Sequence, residues 1–156
     1  MTTIAYHHES KTVACDSRRT LDGIIITDNA DKMRTKDGVI FWLSGSVSDF
    51  DLLISMYFDG ESDITPDCIA LAYDGEHLFY CGCCNSEFWK SPVNGDIAIG
   101  SGMSFALAAF DFGCDAAGAV EYAKTRNIYT GGEVKSFVLP WSGTKDEKGD
   151  LVTDDD

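Results

Sequence analysis

The chain begins MTTIAYHH, residues 1–8, and the position that decides the reading is Thr2, directly behind the initiator methionine. As a strand residue Thr2 needs no special account, because β-branched side chains suit a pleated, half-buried surface. Residues 2–7 (TTIAYH) and 12–16 (TVACD) are both β-rich and are separated by His8, Glu9, Ser10 and Lys11. The pattern predicts an antiparallel hairpin that opens the domain. The second possibility is chemical. A threonine hydroxyl is a weak nucleophile until a base takes its proton, and a free α-amine titrates near pH 7.7–8.0. If Met1 is removed, Thr2 carries both groups. Threonine is small enough in second position for a methionine aminopeptidase to expose it.

The whole chain sets the limits. At 156 residues it fits one domain with a real core. Apolar residues make up 44% and aromatic residues 12%, a globular composition despite 26 acidic against 12 basic residues and a net charge of -14. Such a surface disfavours nucleic acid and anionic membranes. No basic segment followed by an apolar run opens the sequence, and no stretch approaches a membrane span, so a cytoplasmic protein with reduced thiols is expected. The six cysteines include Cys81-Gly82-Cys83-Cys84, a C-x-x-C spacing, with His7, His8 and His77 as further nitrogen donors. A closed zinc site needs four well-spaced ligands and there is no second C-x-x-C, so small buried thiols at a strand end are expected, with no metal and no cofactor.

Further along, Lys32–Arg34 and Val39–Leu43 flank a Lys36-Asp37-Gly38 turn, a second hairpin. Ser46 or Ser48 can cap a helix in which Phe50, Leu53, Ile54, Tyr57 and Phe58 recur at helical spacing, ended by Asp59-Gly60. Ile69–Tyr73 and His77–Cys81 flank Asp74-Gly75, a strong hairpin signal. A strand at Ile97–Ile99 leads to Gly100-Ser101-Gly102, then a helix carrying Phe105, Ala108, Ala109 and Phe112, closed at Gly113. Asp115 caps a second helix to about Asn127 with Ala119, Val120 and Ala123 inside, and Val134–Leu139 returns as a strand. Residues 1–140 read as the domain and 141–156 as an acidic, flexible tail. The order is α+β and rich in antiparallel pairing.

Six segments in register carry a resemblance: TTIAY, ACDSRRT at 14–20, NADKM at 29–33, LSGSVSD at 43–49, IGSGMSFA at 99–106 and IYTGGEV at 128–134. Together they resemble the proteasome β subunits and bacterial HslV, which are N-terminal nucleophile (Ntn) hydrolases, over roughly residues 2–139. The resemblance implies a four-layer αββα sandwich, two antiparallel sheets between helical layers, and self-assembly into a ring. It also implies a peptidase whose nucleophile is Thr2, with Lys32 beside it, Asp16 orienting Lys32, and the Gly45 N–H as oxyanion hole. Ser101 would contact the Thr2 amine. Asn127 and Thr130 stand where the family carries an aspartate and a serine, so one negative charge is missing. A second departure lies between Ser46 and Cys68, where the family places two helices and this chain has room for one; residues 59–67 read as a loop.

Arg19, Thr20, Ala30, Leu43 and Val47 fall where the family lines its specificity pocket, which implies cleavage after apolar residues. A peptide would bind as an added strand between Arg19-Thr20 and Ser44–Ser46. The implied partners are further copies of the chain, a peptide or unfolded protein, and an unfolding ATPase. Two other classes remain open from the sequence. One is a non-catalytic assembly or inhibitor protein of the same fold, and the other is an Ntn hydrolase of a small amide.

Overall fold

A computed structural model describes residues 2–140; Met1 and the acidic segment 141–156, with the flexibility expected of it, lie outside the described residues. The opening residues form the expected hairpin, β1 (Thr3–His7) with β2 (Thr12–Cys15), antiparallel with Ile4 opposite Cys15. Between them and the next sheet comes a small separate hairpin, β3 (Arg19–Leu21) with β4 (Ile24–Thr27), which the sequence reading left out. Strands β5 (Met33–Lys36) and β6 (Val39–Gly45) pair across the Asp37-Gly38 turn as expected. A single 3-10 turn, Val47–Asp49, then leads into α1 (Phe50–Asp59). The Asp74-Gly75 hairpin joins β7 (Cys68–Tyr73) to β8 (Leu78–Cys84), and β9 (Glu87–Pro92) adds an edge strand not foreseen. The chain closes with β10 (Ile97–Gly100), α2 (Met103–Asp111), α3 (Ala116–Lys124) and β11 (Lys135–Val138).

The strands form two main sheets, β10-β1-β2-β11 and β5-β6-β7-β8-β9, with every adjacent pair antiparallel. Alternation along the strands explains the layering. On β1 and β2, Ile4, Tyr6, Val13 and Cys15 face the other sheet and meet Trp42, Leu71, Tyr73 and Ile99 in one core. Their neighbours Ala5 and Ala14 face outward against α2 and α3, where Ala106, Ala109, Ala116, Ala119 and Val120 complete a second core of mostly small residues. Phe41, Leu43, Ala70 and Ala72 turn the opposite way from Trp42 and Leu71 and pack under Phe50, Leu53 and Ile54 of α1. Three apolar interfaces thus separate four layers, two helices over one sheet and one helix over the other. Each large side chain so buried contributes roughly 1.5–3 kcal/mol. The αββα order and the single helix between Ser46 and Cys68 are as expected.

Several local expectations change. Neither Ser46 nor Ser48 caps α1. Asp49 holds the N-cap position, and its carboxylate instead accepts the Asp67 N–H at 2.9 Å, which ties the following loop to the helix start. Gly102 is the N-cap of α2. Phe112 is 90% exposed, since α2 has ended and only Ala106 and Ala109 are buried. Asp115 does cap α3, accepting the Gly118 N–H at 2.8 Å, but the helix stops at Lys124. Of the C-x-x-C residues, Cys81 is buried, Cys83 half-buried and Cys84 exposed. No described helix is long and apolar enough to cross a membrane.

Candidate active site

Thr2 just precedes β1, Asp16 just follows β2 and Lys32 just precedes β5, and hydrogen bonds bring the three together. All three are buried: Thr2 is 2% exposed, Asp16 0% and Lys32 5%. The Lys32 ammonium donates to Asp16 Oδ1 at 2.8 Å and to the Thr2 hydroxyl, and the hydroxyl in turn donates to Asp16 Oδ1. Backbone N–H groups complete the carboxylate's environment, Thr3 at 3.2 Å on Oδ1 and Gly131 at 3.0 Å and Arg18 at 3.3 Å on Oδ2. A buried carboxylate held by this many donors is a rigid anchor. Burial pushes the Lys32 pKa down from its ordinary value, while the Asp16 charge and hydrogen bond oppose that shift and the Arg19 charge adds to it.

Gly45 closes β6 at φ +126°, a backbone conformation open to glycine. A Cβ there would lie 2.5 Å from Asp67 O and 2.7 Å from Cys68 Cα, so no other residue fits. Leu43 N–H donates to Lys32 O at 3.1 Å on the β5 side, and Ser46 N–H to Asp67 O at 2.8 Å on the β7 side. Alternation between them sets the Gly45 N–H on the side of Lys32 and Thr2. Pairing of β5 with β6 ends at Met33 opposite Trp42, which leaves the Ser44–Ser46 edge open on that side.

Ser101, Asn127 and Thr130 form a second polar group below Thr2. Asn127 Oδ1 accepts from Thr130 Oγ1 at 2.8 Å and Ser101 Oγ at 3.1 Å, and its Nδ2 donates to Ser101 O at 3.3 Å. Thr130 spends its proton on Asn127, so the 2.7 Å contact with Thr3 Oγ1 is donated by Thr3. Ser101 Oγ also lies 3.4 Å from Thr2 O. An amide at 127 serves this neutral network with both its donor and its acceptor. A carboxylate could not donate to Ser101 O. Asn127 therefore supports Ser101 and Thr130 and makes no hydrogen bond to Lys32 or to the Thr2 side chain among the described residues.

A cavity of about 390 Å³ opens beside Thr2, lined on one side by Arg18, Arg19, Thr20, Leu21 and Ile26 and on the other by Leu43 to Val47 and Phe50. Four of the five expected pocket residues line it. Ala30 does not; it is buried, and its N–H donates to Ser17 O at 2.8 Å, so it supports the wall from behind. Leu21, Ile26 and Phe50 were missed because the β3–β4 hairpin and the depth of Phe50 appear only in three dimensions. Arg18 was missed too. Its guanidinium bonds Asp28 through two nitrogens, at 2.8 and 3.1 Å, and donates to Ile128 O at 2.9 Å. It lies against Gly131, where an added Cβ would fall 2.6 Å from Arg18 Nη2. This clamp holds the segment that supplies Asn127, Thr130 and the Gly131 N–H; the Gly131-Gly132 pair was its sequence signal.

Comparison with known proteins agrees with this architecture. The chain aligns with the crystal structure of eukaryotic HslV from Trypanosoma brucei at a TM-score of 0.67 and 21% identity, covering 87% of this chain and 98% of that one. Thiobacillus denitrificans BPH aligns at a TM-score of 0.70 and 17% identity over 92% of this chain and 100% of that one. The same BPH in complex with epoxomicin aligns at a TM-score of 0.65 and 17% identity over 87% and 97%. No protein-family model and no curated protein sequence matches. The protein thus has the HslV/proteasome-type Ntn hydrolase fold, in a form with one helix fewer in one outer layer.

Proposed function

We propose that the chain is a threonine-type peptidase subunit of a self-assembling, HslV-like ring, with Thr2 as N-terminal nucleophile once Met1 has been removed. The observation that carries this reading is the Thr2 hydroxyl, hydrogen-bonded to both Lys32 and Asp16 beside a cavity of about 390 Å³. In the reaction Thr2 Oγ attacks the peptide carbonyl carbon and its proton passes to the chain's own α-amine. The Lys32 charge keeps that amine unprotonated at rest and favours negative charge on Oγ. The oxyanion is received by the Gly45 N–H. The amine then protonates the leaving nitrogen as the C–N bond breaks, and water, deprotonated by the same amine, releases the acyl group from Oγ.

The open Ser44–Ser46 edge faces Arg19 and Thr20 across the cavity, which suits a peptide bound as an added strand. An unfolded protein is the fitting substrate and an unfolding ATPase the fitting partner, in the cytoplasm and without a cofactor. That Thiobacillus denitrificans BPH, of similar fold, is known in complex with epoxomicin supports a ligand-accepting cleft here. The single helix of the outer layer favours one competitor, a non-catalytic assembly or inhibitor protein of the same fold. A Thr2→Ala variant separates them. Processed wild-type protein cleaves a fluorogenic peptide and the variant does not; undiminished cleavage by Thr2→Ala places the nucleophile elsewhere.

A further inference from the structure

The outer layer over the five-stranded sheet is only half built. Helix α1 lies across the strands. It starts beside β5, where the Arg34 guanidinium sits 6.0 Å from the Phe50 ring, and ends at β9, where Gly60 O accepts the Phe88 N–H at 3.4 Å. Strands β6 and β8 have 7 residues each and run about 23 Å, whereas a helix crossing them covers about 10 Å. The uncovered part lies towards the Asp37-Gly38 and Asp74-Gly75 turns, which share one end of the sheet because Ile40 stands opposite Tyr73. Phe79 and Pro92 face outward there, paired across β8 and β9, and Phe58 flanks them from α1 at 41% exposed. Two lysines cross the rings of this face. Lys90 Nζ lies 4.4 Å from the Phe79 centroid and 5.1 Å from that of Tyr57, and Lys36 Nζ 5.7 Å from that of Phe58. Both lysines are exposed, and neither has a carboxylate partner among the described residues. Asp74, whose carboxylate feels the Lys90 charge, is spent on its own turn, accepting the Glu76 and His77 N–H groups at 2.9 and 2.7 Å.

We propose that residues 141–156 of the same chain lie back over this face, with their carboxylates on Lys36 and Lys90 and with Leu151 and Val152 against Phe58 and Phe79. The described chain ends at the right place. Pro140 O accepts from the Tyr73 hydroxyl, which lies 2.9 Å from Gly75 O, so the segment starts at the end of the sheet that α1 leaves uncovered. It has 16 residues and carries six acidic side chains, Asp146, Glu147, Asp150, Asp154, Asp155 and Asp156, against Lys145 and Lys148. Ten extended residues reach about 33 Å. Phe79 stands only about 13 Å along the strand from Gly75, so the acidic part reaches the lysines with chain to spare. A second copy is a poorer occupant, because two-fold apposition sets lysine against lysine and brings together bodies of net charge -14. Attachment at Pro140 also gives the segment an effective concentration on the order of millimolar. The contact stands apart from the peptidase reading, since none of these residues lines the cavity beside Thr2.

The test is a zero-length carbodiimide cross-link of the native full-length protein at low salt, which joins a lysine Nζ to a carboxylate as an amide with loss of water. Peptide mapping is expected to find Lys36 or Lys90 joined to a carboxylate of residues 146–156, in a product of monomer mass. Acetylation of the native protein, read lysine by lysine, reports the same contact. Lys36 and Lys90 should react slowly at low salt and on the order of 5-fold faster at about 1 M salt, where charges are screened beyond about 3 Å. Full-length protein carrying Asp150→Asn, Asp154→Asn, Asp155→Asn and Asp156→Asn should show the fast rates at low salt. Lysines slowed only by their aromatic neighbours would not respond to those changes. Absence of the link, or links from the segment to Lys11 or another lysine in place of Lys36 and Lys90, overturns the proposal. A covalent dimer joined through Lys36 or Lys90 overturns it as well, because the face then belongs to a second copy. Acetylation rates indifferent to both salt and the tail changes have the same force.

Discussion

Replacing Asp16 by asparagine removes one charge and no volume, and it strikes the contact on which the whole site depends. In the native protein Asp16 is fully buried and is the carboxylate that pairs with Lys32, itself 5% exposed. Removing one member of a buried pair costs about 3–5 kcal/mol, because the remaining ion keeps its desolvation penalty. For a chain of this size that corresponds to a loss of roughly 6–20 °C in Tm. The size of the loss should depend on pH. Burial already lowers the Lys32 pKa in the folded state, and Asp16 limits the fall. Between the folded value and the ordinary lysine value the unfolded chain binds the extra proton, so stability rises with pH across that window. Without Asp16 the folded value falls further and the window widens downward. Asp16→Asn should therefore recover stability relative to wild type as pH is raised from neutral towards 10, followed by urea unfolding at each pH. Adding Lys32→Met should restore part of the loss at neutral pH. A loss below about 1 kcal/mol, or a gap between variant and wild type that is independent of pH, would refute the buried, charged pair.

Gly45→Ala forces a Cβ to within 2.5 Å of Asp67 O at φ +126°, so a destabilisation of at least about 1–3 kcal/mol is expected in denaturant unfolding. Peptide cleavage should be lost as well. Among the cysteines, burial pushes the Cys15 thiol up to about 11 and those of Cys68 and Cys81 up to about 12. Alkylation of the native protein at neutral pH, read by peptide mass mapping, should mark the exposed Cys84 first and spare these three until the chain is unfolded.

Apolar β-rich runs, turn signals and helical spacing made most of the fold legible. Ile4, Tyr6, Val13 and Cys15 against Ala5 and Ala14, or Trp42 against Phe41 and Leu43, set strands with two buried faces, and the Asp37-Gly38 and Asp74-Gly75 turns marked two of the hairpins. The β3–β4 hairpin escaped because Leu21, Ile24, Ile25 and Ile26 are exposed and do not alternate, although Asp22-Gly23 between them has positive φ at both residues, a usual hairpin turn. Strand β9 escaped because its turn uses Asn85 and Ser86 at positive φ with no glycine, and Pro92 ends it at the sheet edge. In the site, Thr2, Asp16, Lys32 and Gly45 were recoverable only from the order of motifs along the chain, since nothing local links residues 14 to 43 positions apart. Asn127 looked like a lost charge. Its hydrogen bonds to Ser101 and Thr130 show an amide suited to its neighbours, and only their positions in space could reveal that.

Thr2 can work as proposed only through its own free amine, and the intact mass of the purified, natively folded protein reads whether that amine is exposed. The expected mass is short by one methionine residue, with peptide mapping placing a free amine on Thr2. Quantitative retention of Met1 in a sample that cleaves peptides at the full rate would contradict it, because the amine assigned as base would then be locked in a peptide bond.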